Sequence, residues 1–237
     1  MEKLIDNRNS GLYNDVTKEV NLTVKKVNQN YYMAYTQGNE AIIYVPIDNE
    51  NPTSFAHELL HVHFKTIGVL IGNGLINSIR SKNHISTYFS NELLEQIGNC
   101  LDHVKMLPIF VQLGYPIEEF IEDYFVVKLT ENELNNIRSN FFKKGFFGSS
   151  YNKNAIDLFI GKYFAVRACP NNSFDYSNAL IELEKIEPKL YSVLDSYWKQ
   201  WLDFDIYHPD PIFNNYHVLN YDFVENLEGW FNGKKVN

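Results

Sequence analysis

The sequence predicts an α+β fold: a small N-terminal antiparallel or mixed sheet packed on one apolar helix, then a mostly helical C-terminal half. Three observations carry that expectation. Runs rich in aromatic and β-branched residues lie ahead of residue 50, at 20–27, 31–35 and 41–45. The stretch after Asn51-Pro52 is apolar nearly all round a helix. Beyond Pro108, helical periodicity and capping residues dominate.

Taken in order, residues 20–27 alternate enough to supply one strand. Residues 31–35 and 41–45 flank Thr36-Gln37-Gly38-Asn39-Glu40 and read as a hairpin with a glycine-containing loop. The second of these strands leads through Pro46 into the helix. Asn51 caps that helix, and Pro52 suits a first turn where a missing N–H costs nothing. Phe55, Ala56, Leu59, Leu60, Val62, Phe64 and Ile67 cover most of its circumference, which predicts burial.

The same helix carries His57-Glu58-Leu59-Leu60-His61. Two histidines four residues apart lie one turn apart on one face, so both rings can reach one ion. Burying His57, Glu58 and His61 without partners is costly, and a zinc ion is the simplest partner for all three. Glu58 can then take a proton from a metal-bound water. The plainer reading is a buried helix whose histidines bond only to backbone. His63, two positions past His61, points elsewhere and is expected to pack or to support the site from outside.

With its strand-then-helix order and this motif, the region 41–107 resembles the zincin metallopeptidases. The resemblance implies zinc ligands at His57 and His61, a general base at Glu58, and a substrate backbone docked along a sheet edge, for which residues 41–45 are the candidate strand. Metzincins place Gly three and His six residues after the second His. Phe64 and Ile67 stand there, so that branch is rejected. Gluzincins take a third ligand from a Glu on a following helix. Residues 91–107 have helical periodicity, with Ser90 as cap, Pro108 marking the end, and Leu94, Ile97, Leu101 and Val104 as the apolar face. Glu95 flanks that face and is preferred as third ligand, with Glu92 second. His103 is a further alternative, giving a three-His site on spacing alone. Asn99 and His103 follow Glu95 at successive turns and are candidates to orient the metal-bound carboxylate or hold substrate. Asp102 reads as a surface charge. The resemblance also implies an oxyanion-stabilising Tyr or His downstream, with Tyr151, Tyr207, His208 and His217 as candidates by residue type.

The linker 68–90 holds Gly72-Asn73-Gly74, a turn signal, together with Arg80, Lys82 and His84, the last without an assigned role. In the C-terminal half, 117–127 is aromatic and acidic, and Glu118, Glu119, Glu122 and Asp123 form a solvated face. Thr130 and Glu133 make a capping box for a helix to about Lys144. Phe141, Phe142, Phe146 and Phe147 cluster around Gly145 and Gly148. Helices follow at 154–168, 174–187, 188–204 and 212–231, with His208-Pro209-Asp210-Pro211 as a turn. The expected organisation is a catalytic core at 1–108 and a helical region at 109–237, either separate or part of the same domain.

Composition narrows the partners. A formal charge of −8 and no Lys/Arg run argue against nucleic acid. No apolar stretch is long enough to span a membrane. Cys100 and Cys169 make no disulfide framework, and the N-terminus lacks a leader pattern, so the cytoplasm is expected. The expected function is hydrolysis of peptide bonds in a peptide or protein substrate, with Zn2+ as cofactor. One alternative resembles the ImmA/IrrE group, regulatory zincin-like proteins that bind or cleave one cytosolic partner. Another is a metal-free interaction domain, which gives Glu58 no chemical purpose.

Overall fold

In the computed structural model, residues 3–145, 148–208 and 215–237 are described. Among them the chain forms a mixed three-stranded sheet near the N-terminus, a mostly helical remainder of nine α-helices, and one two-stranded hairpin. By packing, it divides into two units. The first is Met1–Leu70 with Asp102–Phe125; the second is Ile71–Leu101 with Val126–Asn237. The division is not the cut at residue 108 expected from the sequence, because residues 71–101 leave the first unit and 102–125 return to it.

In the first unit, helix α1 (Ser10–Glu19) precedes strands β1 (Asn21–Val27), β2 (Met33–Gln37) and β3 (Glu40–Pro46). Sequence reasoning did not anticipate α1. The strand order is β1-β3-β2, with β1 parallel and β2 antiparallel to β3. The strand at 41–45 is therefore central, not the edge. Its side chains explain this: Ala41, Ile43 and Val45 are buried on one face while Ile42 and Tyr44 are half-covered on the other, the pattern of a strand with neighbours on both sides. The edge beside the motif helix is β2.

Helix α2 (Pro52–Thr66) carries the motif. Its cap is as expected, with the Asn51 side chain accepting from the Thr53 N–H at 2.8 Å. Tyr32 fixes the β3–α2 connection by donating to the Asn49 carbonyl at 2.6 Å and accepting from the Asn51 N–H at 2.7 Å. Leu4, Val16, Ala41, Ile43, Val45, Phe55, Leu59 and Val62 form one core between sheet, α1 and α2.

Helix α3 (Ile71–Arg80) occupies much of the expected linker. Gly72 and Gly74 are packing residues rather than turn residues. A Cβ on Gly72 would lie 2.9 Å from the Gly98 Cα, and one on Gly74 would lie 2.7 Å from the Asn220 Nδ2. Gly98 belongs to α4 (Asn91–Gln112), which continues through Pro108. The helix ends where Gly114, at φ +92°, lets the Gly114 N–H reach the Val111 carbonyl and the Tyr115 N–H reach that of Phe110. This is a Schellman stop, which satisfies the last carbonyls as a proline cannot.

The rest of the second unit is α5 (Glu131–Asn140), the hairpin β4 (Phe142–Gly145) and β5 (Gly148–Tyr151), α6 (Lys153–Arg167), α7 (Ser177–Ile186), α8 (Pro188–Asp203) and α9 (Tyr216–Phe231). The Thr130–Glu133 capping box is present, but α5 stops at Asn140 because 142–145 pairs as a strand. Phe141 packs on Phe159; Phe146 and Phe147 lie outside the described residues. So does 209–214, and with it most of the expected turn at 208–211 and the start of the last helix. No single helix among the described residues is long and apolar enough to cross a membrane.

Candidate metal centre

Helical spacing puts the His57 and His61 rings on one face of α2, with centroids 5.0 Å apart. The C-terminal part of α4, in the same unit, adds His103, whose ring lies 4.9 Å from that of His57 and 5.3 Å from that of His61. Each offers one ring nitrogen, and the three nitrogens all lie within 4.8 Å of one another. All three residues are half-buried.

The donor set fits a metal ion. Three imidazoles are a recognised catalytic zinc set. His57 Nδ1 is buried without a well-formed hydrogen bond, and the Phe120 backbone is the polar group acting on the ring, opposing the fall in its pKa. Burial holds His57 well below the ordinary imidazole range, and the neighbouring His103 and His61 charges push the same way. The neutral ring is the form that binds metal.

Glu58 is also half-buried. Desolvation raises its carboxyl above the usual carboxylate range; His61, the Ala34 backbone and Lys65 oppose the rise, and Glu122 adds to it. The Ala34 interaction places the Glu58 carboxyl beside edge strand β2. Phe120 closes another side, its ring 4.9 Å from His57 and 5.3 Å from His103.

Sequence reasoning ranked His103 below Glu95 and Glu92; the structure gathers His103. Glu95, Glu92 and Asn99 are exposed and belong to the second unit. A helix rises 1.5 Å per residue, so on α4 Glu95 stands about 12 Å along the axis from His103. Asp102 is not a free surface charge. Its Oδ2 lies 3.6 Å from His61 Nδ1, and its side chain is 19% exposed. The signal for it was weak: only once His103 is known to face the motif does its neighbour fall within reach of His61. His63 sits near Asp15, with its ring tilted against that of Phe64, and is not one of the three clustered histidines. His84 is exposed and pairs with Glu228 at 3.2 Å. Tyr151, Tyr207, His208 and His217 all belong to the second unit.

No protein-family model, no curated protein and no solved structure matches this chain.

Proposed function

We propose that this protein is a zinc-dependent metallopeptidase of the zincin type in which His57, His61 and His103 would hold the metal. The observation that carries the reading is the convergence of three ring nitrogens beside a half-buried glutamate whose carboxyl is raised by desolvation. A zinc ion held there supplies Lewis acidity, which polarises a carbonyl and makes water a better acid.

The chain's own residues supply the rest. Glu58 takes a proton from the attacking water and passes it to the leaving nitrogen. A carboxyl raised by burial is suited to both steps, since it accepts a proton more readily than an exposed one. The free edge of β2, beside Glu58, offers backbone N–H and C=O groups to an extended chain. The rings of His103 and Phe120 both pack against His57, each with its centroid 4.9 Å away.

One observation favours a single protein as substrate. Tyr31, Met33 and Tyr35 are exposed at alternate positions on and before the edge strand, an apolar row of the kind that marks a protein-binding surface. That is the regulatory reading, in which one partner is bound or cut.

The test is elemental analysis of the purified full chain, with hydrolysis of a mixed peptide library and of a denatured protein measured alongside. About one zinc per chain and cleavage lost in Glu58→Gln support the reading. A chain that takes up no zinc when it is supplied overturns it.

A further inference from the structure

Beside the histidine cluster one half-buried acid has no task in the proposed reaction. Asp102 precedes the third ligand on α4, yet its side chain turns to a different ligand, with Oδ2 3.6 Å from His61 Nδ1. That is ion-pair distance, longer than a formed hydrogen bond. The other oxygen, Oδ1, is buried with no hydrogen-bond partner. The oxygen that faces His61 is Oδ2, and a proton on His61 Nδ1 would give this carboxylate a donor.

We propose that Asp102 is a positioning residue for His61: it accepts from Nδ1–H, holds the ring in one tautomer and leaves the Nε2 lone pair to face His57 and His103. Neutral imidazole carries its proton on either nitrogen, and the hydrogen bond made by one nitrogen decides which remains free. Without a partner on Nδ1 the ring would divide between tautomers and rotamers. Lys65, one turn beyond His61 on α2, is half-buried and interacts electrostatically with both Asp102 and Glu58, so the acid keeps a cation nearby. One turn of α4 thus delivers a ligand and the carboxylate that orients another. The inference rests on the metal-site reading, but its first consequence does not require metal.

Asp102→Asn and Asp102→Ala separate orientation from folding. Asparagine keeps the shape and an accepting oxygen; alanine removes both. In metal-free wild-type protein, 15N NMR of the imidazoles should show His61 protonated at Nδ1. Asp102→Asn should retain that tautomer, and Asp102→Ala should shift His61 toward Nε2–H while the His57 signals stay in place. Zinc affinity, read by competition with a chromophoric chelator, should fall about 10–100-fold in Asp102→Ala and less in Asp102→Asn. A His61 tautomer and a zinc affinity both unchanged in Asp102→Ala overturn the proposal and leave the metal site standing. A wild-type chain with the expected tautomer that binds no zinc overturns the metallopeptidase reading and leaves the role of Asp102 intact.

Discussion

Under the proposed metallopeptidase reading the chemistry would depend on Glu58 and His103, and each makes a separable prediction. A positioned general base contributes typically 10²–10⁴-fold to rate. Replacing Glu58 with Gln keeps the shape of the side chain and removes the proton acceptor. Peptide turnover should fall by about 10²-fold or more while zinc content stays near wild type; a Glu58→Gln enzyme of full activity removes Glu58 from the mechanism. The ligands separate by metal content. His103→Ala should lose zinc under conditions in which Glu95→Ala keeps it, since Glu95 is exposed and stands about two turns away along α4. Zinc lost from Glu95→Ala alone would restore the ligand preferred from sequence. His57, Glu58 and His61 were legible because one helix fixes their geometry. His103 was only an alternative, because its approach to α2 depends on long-range packing that local spacing does not encode.

At the level of elements, local chemistry was readable where it acts within a few residues. The Asn51 cap and the Thr130–Glu133 capping box both hold. Glycine was read wrongly where its purpose is to bring two backbones together. Gly72 and Gly74 in succession signal a turn, yet both lie inside α3, and Gly72 faces Gly98 of α4. Gly72→Ala therefore sets a methyl against a backbone that cannot yield cheaply. Its cost should be about 1–3 kcal/mol, the usual range for overpacking. Gly229, in α9 of the same unit, has open space around its Cα, so Gly229→Ala should stabilise by about 0.5–1 kcal/mol through helix propensity. Urea unfolding midpoints of the two variants should move in opposite directions; a neutral Gly72→Ala would mean that α3 and α4 do not cross at these glycines. Pro108 misled for a related reason. A proline removes one helical hydrogen bond, and α4 tolerates that loss, because its end is set by Gly114 and the Schellman bonds.

For the whole molecule, the order of the chain conceals the order of packing. The sheet and α2 came from local patterns, but the unit that contains them is completed by 102–125, after the excursion of 71–101. A metal held by His57, His61 and His103 would tie those two stretches together, so stability should respond to pH and zinc jointly. In metal-free protein, unfolded His57 takes up a proton near its ordinary value of 6.5, while the folded ring, depressed by burial, stays neutral to lower pH. Across that window the unfolded chain binds the extra proton, so the His57 contribution is present above 6.5 and is lost as pH falls below it. Glu58 acts in the opposite sense. Its folded carboxyl is raised, so between 4.5 and the folded value the native state holds the extra proton and stability declines as pH rises. The two contributions oppose each other over part of the acidic range. Removing one should expose the other: with chelator present, the thermal midpoint of Glu58→Gln should fall more steeply on acidification between about pH 6.5 and 4.5 than that of wild type. Zinc should raise the wild-type midpoint at pH 7.5, because a ligand that binds only the folded state stabilises it. That increment should vanish as the ligands protonate in acid. Equal acid slopes in the two proteins would mean that Glu58 is not held protonated by its surroundings, and a zinc increment that persisted at low pH would point to ligands other than imidazole.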